Sequence, residues 1–133
     1  MDYFEKVKEF HIAFGAPAPE TPTLYPCKTD KENKDLHKLR YDLIAEELEE
    51  FKTALNNNDI VEVLDSIEDL IYVCVGAAVS FGLPLNKGFE EVHSSNMSKL
   101  GEDGKPIRRS DGKIMKGPNY FRPNLKPIIE SSK

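Results

Sequence analysis

The chain is short of cysteine and of long apolar runs, and both shortages narrow what it can be. Two cysteines, Cys27 and Cys74, in 133 residues are too few for a disulfide scaffold. With Cys74 inside an aliphatic stretch, both read as buried free thiols of a reducing cytoplasm. The longest apolar run, Leu70 to Leu85, is broken by Tyr72, Gly76, Ser80, Gly82 and Pro84, so no membrane span is expected. The opening "MDYFEKVKEF" shows neither a basic n-region nor an apolar h-region, and no signal peptide is legible in it. Internal repeats, low-complexity tracts and a linker long enough to separate domains are missing too. With 39% hydrophobic and 31% charged residues, the composition is globular. The expectation is one domain over residues 1–133, with a helical core over about 34–100 and a basic arm over 101–133.

Positive charge is scarce in the middle of the chain. From Glu46 to Asp69 there are nine acidic residues and one basic residue, Lys52. From Asn96 to Lys126 there are eight basic residues and three acidic ones. The net charge of −5 hides this polarity. An acidic middle of this kind attracts a multivalent cation, and a basic tail attracts an anion. Nucleic acid is a poor fit, because the overall charge is negative and the tail offers few aromatic platforms.

Apolar spacing predicts helices. Phe4, Val7, Phe10, His11 and Phe14 recur at helical intervals, with Asp2 as a cap and Gly15 as a stop. Four prolines in "APAPETPTLYPCKTDKEN" exclude a regular element there. A second helix is expected over about 34–56, carried by Leu36, Leu39, Leu43, Ile44, Leu48, Phe51 and Leu55. Asp59 caps a third helix running to about Ser80, and Glu62 completes a capping-box pattern. The short connection makes the second and third helices antiparallel neighbours. A fourth helix is expected over about 85–100. Beyond it, Asp103-Gly104 and Asp111-Gly112 favour tight turns, so a short hairpin or two turns should precede an extended arm. The fold class is therefore all-α: a four-helix bundle core with a C-terminal turn or hairpin and an arm.

The acidic residues have an orderly placement. On a helical wheel Glu47 and Glu50 point the same way, bordering the stripe of Ile44, Leu48, Phe51 and Leu55. On the third helix Glu62, Asp65 and Asp69 share one side, opposite Ile60, Val63, Leu64, Ile67, Ile71 and Cys74. In an antiparallel pair, Glu47 and Glu50 can meet Glu62 and Asp65. Two like charges 5 Å apart repel by about 3 kcal/mol at an effective dielectric near 20. Such a cluster needs protons, cationic side chains or a metal. Oxygen ligands without Cys or paired His suit Mg²⁺, with Mn²⁺ as the alternative. A plain solvated acidic face is the competing reading. The duplicated i, i+3 spacing, on helices too apolar to be exposed, weighs against it.

In "FEEVHSSNMSKL", Phe89, Val92 and Leu100 read as core, with Asn96 and Lys99 on the same side and His93 beside it. An amide, an imidazole and an ammonium there could bind a base, sugar or phosphate. A packed His and a snorkelling Lys are the plainer alternative. In the arm, Lys113, Lys116 and Tyr120 could meet a polyphosphate, or form a generic basic flap.

"LRYDLIAEELEEFKTAL", then "DIVEVLDSIEDLIYVCVGAAVSFG", resembles the EExxE…ExxD signature of MazG-type all-α nucleoside triphosphate pyrophosphohydrolases. Phosphoribosyl-ATP pyrophosphohydrolases belong to the same superfamily. With Arg40 before, Gly76 after and "SNMSK" and "DGKIMKGPNYFRP" following, the resemblance covers about residues 7–125. It implies a helical bundle forming a homodimer or dimer of dimers, and Mg²⁺-dependent cleavage of an NTP or dNTP between its α- and β-phosphates. By the same resemblance Glu47, Glu50, Glu62 and Asp65 would be metal ligands. Asp69 would hold a further ion or water, and Glu46 would support catalysis together with Glu47, Glu50 and Asp65. Asn96 would touch the nucleotide and Lys99 a phosphate. The chain has no Trp, which some relatives stack on the base; Tyr72, Phe81 and Tyr120 are the possible replacements.

Two other readings compete. A di-iron bundle needs two Glu-x-x-His motifs, and only Glu90–His93 supplies one. A non-catalytic nucleotide-binding or interaction module would have no need of all four carboxylates.

Overall fold

The structure, a computed structural model, describes residues 1–133. It is all-α, with one small hairpin. Helix α1 spans Tyr3–Phe14, α2 Asp30–Asn56, α3 Ile60–Ser80 and α4 Leu85–Met97. The hairpin strands are β1, Ile107–Arg108, and β2, Ile114–Met115, and α5 spans Lys126–Ser131. The chain divides into two compact units, Met1–Leu83 and Pro84–Lys133. No single helix is long and apolar enough to cross a membrane.

In the first unit each helix starts and stops where side chains satisfy its free backbone groups. Asp2 accepts from the Glu5 amide at 2.8 Å, and Gly15, at φ 73°, closes α1. The start of α2 lies one turn earlier than the apolar pattern suggested. Thr29 Oγ1 accepts from the Glu32 amide at 3.1 Å and donates to Glu32 Oε1 at 2.9 Å, a side-chain variant of the capping box set in polar sequence. Asp59 accepts from the amides of Val61 and Glu62 and starts α3. The proline-rich connection is pinned over the end of α3. The Thr23 amide donates to the Phe81 carbonyl at 2.9 Å, and His37 Nε2 lies 2.6 Å from the Leu24 carbonyl.

Helix α3 packs on both α2 and α1. Val7, Leu36, Ala54, Val75, Ala78 and Val79 are the buried apolar residues. This core is smaller than the helical pattern implied. Leu39, Leu48, Leu55, Ile60, Leu64 and Ile67 are exposed, as is Cys74, expected to be buried. The stripe that should have faced a fourth helix is left open within the first unit.

In the second unit α4 ends at Met97, before the expected Leu100. The Gly117 amide donates to the Lys99 carbonyl at 2.9 Å, so the chain after α4 is engaged by the arm rather than by another turn of helix. Ser95 Oγ donates to the Phe121 carbonyl at 2.8 Å, and Ser98 Oγ accepts from the Phe121 amide at 3.1 Å. These serines clasp the arm to α4. The hairpin pairs Ile107 with Met115 and Arg108 with Ile114, and turns through Gly112 at φ 89°. The arm is not extended to its end, because Lys126–Ser131 adds a short helix.

Candidate functional site

The turn between α2 and α3 sets the register of the acidic residues. Asn58 takes a left-handed φ of 53° at its middle. Residues equally far from Asn58 come level across the seam: Glu47 with Asp69, and Ala54 with Glu62. Glu47, Glu50 and Asp69 each offer a carboxylate oxygen, and these oxygens lie within 4.8 Å of one another. Wheel geometry brings the right faces together: Glu50 shares a groove with Glu62 and Asp65, as expected, while the residue level with Glu47 is Asp69.

Glu62 and Asp65 lie further along the same seam. With Glu49, Glu50 and Thr53 they line an open groove of about 320 Å³, floored by buried Ala54 and Ser66. Glu50 belongs to both groups, so the carboxylates form one continuous track. Sequence reasoning misses Glu49, because its wheel position turns it towards solvent. Glu46 is exposed and acts on Glu47 through space.

The electrostatics record the crowding. Loss of hydration pushes the Glu47 carboxyl up to about 7, and a hydrogen bond shared with Glu50 and the negative charges of Glu50, Asp69 and Glu46 push the same way. Asp69 is raised too, first by loss of hydration and then by Asp65, Glu50 and Glu68. Glu47 Oε2 is buried and has no hydrogen-bond partner. A buried acceptor left unmatched is costly. Three converging carboxylate oxygens, with neither Cys nor His among them, fit a hard divalent cation. Glu47, Glu50 and Asp69 are the residues that could hold it.

A second polar layer lies two turns away on the same seam. A Cβ on Gly76 would stand 2.9 Å from Arg40 Nη1 and 3.4 Å from His11 Nε2. The hydrogen at this position thus admits a guanidinium and an imidazole between three helices. His11 Nδ1 lies 2.9 Å from the Pro17 carbonyl, and burial holds the ring below its ordinary pKa. In the neutral ring Nδ1 carries the proton and donates to that carbonyl, leaving Nε2 as an acceptor. Burial also lowers Arg40, whose Nε has no partner. Arg40 and Gly76 flank the acidic motifs in the sequence, and the structure makes them one packing device.

The remaining sequence candidates belong to the second unit. His93 and Asn96 are exposed on α4, whereas the buried polar residue of that helix is Ser95. Asn96 lies on the same face of α4 as Phe89, seven residues on, and that face is exposed. Phe89, expected in the core, is 69% exposed. Lys99 is half-buried, and its carbonyl accepts from Gly117. Lys113 sits in the hairpin turn, its amide donating to Asp111 at 3.1 Å. Lys116 stands 5.0 Å above the Tyr120 ring, a cation–π contact.

Fold and site together define a helical protein with a carboxylate track between two antiparallel helices. Residues 7–96 match the family model for phosphoribosyl-ATP pyrophosphohydrolase, and the chain belongs to that family. It is also similar to uncharacterized protein L479 of Acanthamoeba polyphaga mimivirus, at 35% identity over 103 residues, or 77% of this chain. The matched stretch is 38% of that viral protein's length. A provisionally named NTP pyrophosphohydrolase of Exiguobacterium sp. 255-15 has a solved structure 26% identical to this chain. It aligns over 99% of this chain and 94% of its own, with a TM-score of 0.49.

Proposed function

We propose that the chain is a divalent-cation-dependent hydrolase. It would cleave a nucleoside triphosphate between its α- and β-phosphates, releasing a nucleoside monophosphate and pyrophosphate. The observation that carries this reading is the convergence of Glu47, Glu50 and Asp69, with Glu47 Oε2 buried and unpartnered. Membership in a pyrophosphohydrolase family supports the reaction class.

Glu47, Glu50 and Asp69 would hold Mg²⁺, or Mn²⁺ in its place. When bound, the cation would neutralise phosphate oxygens and ease departure of pyrophosphate. Asp65 and Glu62, exposed along the adjoining groove, would orient a water and accept its proton at a carboxylate oxygen. Glu46 would keep Glu47 electron-rich from outside the cluster. The buried face of Ala54 and Ser66 closes the floor and limits solvent from below.

The test is pyrophosphate release from the full set of NTPs and dNTPs, with and without Mg²⁺. Release that requires the cation is the expected result, and no release from any nucleotide would remove the reading. The family match favours a second substrate, phosphoribosyl-ATP. Assaying it in the same series separates the two.

The protein would act as a homodimer or dimer of dimers. The support is the open apolar stripe, on which Leu48, Leu55, Ile60 and Leu64 are 56%, 50%, 79% and 62% exposed. A reducing cytoplasm is the proposed compartment, in keeping with two free thiols.

A further inference from the structure

We propose that the cleft between the first turns of α2 and the proline-rich connection binds a small zwitterion, a free α-amino acid with an apolar side chain. Asp30 takes the ammonium, Asn33 and Lys34 take the carboxylate, and Tyr25 covers the side chain. The inference is independent of the nucleotide reading above.

The cleft holds about 270 Å³ and is walled by Tyr25 of the connection and by Asp30, Asn33, Lys34 and His37 of α2. That is just under the roughly 300–1,000 Å³ of pockets for drug-sized ligands, so it suits a smaller molecule. It stands apart from the carboxylate track. About ten residues of α2, roughly 15 Å along its axis, separate His37 from Glu47.

A buried amide with one end unspent is the centre of the cleft. Asn33 is only 7% exposed. Its Oδ1 accepts from the Cys27 amide at 2.8 Å, and that bond settles which end of the side chain is oxygen. Nδ2, the other end, makes no hydrogen bond within the protein. Buried donors without an acceptor are costly, and an acceptor seated in the cleft would meet them.

Two opposite charges flank this amide and do not pair with each other. Lys31 bridges Asp35, and Lys38 bridges Asp42, each across four residues of α2. Asp30 and Lys34 have the same separation, form no such bridge, and line the cleft instead. The wall beside them is aromatic. The Tyr25 ring stacks on His37 at 5.9 Å. His37 is itself held by its Nε2 contact to the Leu24 carbonyl at 2.6 Å and edge-on by Phe81 at 5.4 Å. Tyr25 therefore presents a braced apolar surface.

The lining selects the class of ligand. Asp30 opposes a multivalent anion, and Lys34 opposes a metal ion. A purely apolar molecule would strip water from an amide and two charges and give nothing back. An ammonium and a carboxylate on one carbon answer Asp30 and the Asn33–Lys34 pair together. A peptide terminus carries one of those charges and answers half the site.

The test titrates L-phenylalanine into the full chain by calorimetry, up to millimolar concentration. N-acetyl-L-phenylalanine, which lacks the ammonium, and phenethylamine, which lacks the carboxylate, are run beside it. The amino acid should bind about tenfold more tightly than either relative, the scale of one hydrogen bond to a charged group. Lys34→Met and Asp30→Asn, both changes at exposed positions, should each weaken it by about the same factor. Lys34→Met should leave phenethylamine unchanged, and Asp30→Asn should leave the N-acetyl compound unchanged, because each has already lost the matching charge. Should a variant lose its helical circular dichroism, the parent's ranking of the three ligands decides. No binding of L-phenylalanine by the parent, equal binding of all three ligands, or affinity unmoved by either variant overturns the proposal.

Discussion

At the scale of single residues, Glu47 couples folding to pH. Its carboxyl stands at about 7 in the folded chain against an ordinary 4.5, so the folded state holds the proton more tightly than the unfolded state does. The resulting stability is complete below about 4.5 and is lost as pH rises through about 7. Asp69 is shifted in the same direction. In chelator, the melting temperature should therefore fall across that window, and Glu47→Gln should flatten the fall. Added Mg²⁺ should raise the melting temperature more above the window than below it. An identical pH slope in parent and variant would show that Glu47 is not the titrating group. For turnover, Glu50→Gln and Asp69→Asn should each lower pyrophosphate release by on the order of a hundredfold, as loss of a charge-stabilising group does, with helical circular dichroism intact. The pairing of Glu47 with Glu50 is legible from their spacing. The side of Asp69 is legible too, but its level beside Glu47 is not, because a helical wheel gives angles and is silent on how far one helix slides along another.

At the scale of helices, local capping chemistry decides the boundaries. The capping box of Thr29 and Glu32 begins α2 in a stretch with almost no apolar pattern, which is why periodicity places the start too late. Thr29→Ala should cost about 1 kcal/mol of stability, read from a denaturation midpoint. The packing of α1 on α3 depends on the absent side chain at Gly76. Gly76→Ala would drive a methyl against Arg40 Nη1 at 2.9 Å, with His11 next in line. A loss of about 1–3 kcal/mol is expected for such overpacking, measured by thermal melting. An unchanged melting temperature would mean that the Arg40 side chain swings away freely. The serines of "SNMSK" are legible as a motif, but not as a clasp. Their partner is the Phe121 backbone, remote in sequence, and no local pattern announces such a pairing.

At the scale of the whole molecule, the unsolved problem for the isolated chain is its apolar stripe. The pattern along α2 and α3 marks a face that needs covering, yet the first unit leaves Leu48, Leu55 and Leu64 open. A sequence shows that a face is apolar without showing which chain covers it. If a second copy does so, Leu64→Glu should turn the dimer into a monomer by light scattering on a sizing column, because a buried unpaired carboxylate at an interface is strongly unfavourable. A parent protein that is already monomeric would discard the dimer.

The turn at Asn58 carries a last consequence. Because Glu47 and Asp69 are matched by counting outwards from it, loop length is itself a component of the proposed metal centre. One inserted residue would rotate α3 by about 100° or slide it by about 1.5 Å relative to α2. Each helix would survive and each acidic residue would remain, yet the carboxylates would no longer converge. Diversity in this family should therefore collect in the arm and the proline-rich connection, and gaps should be rarest at the tightest bend.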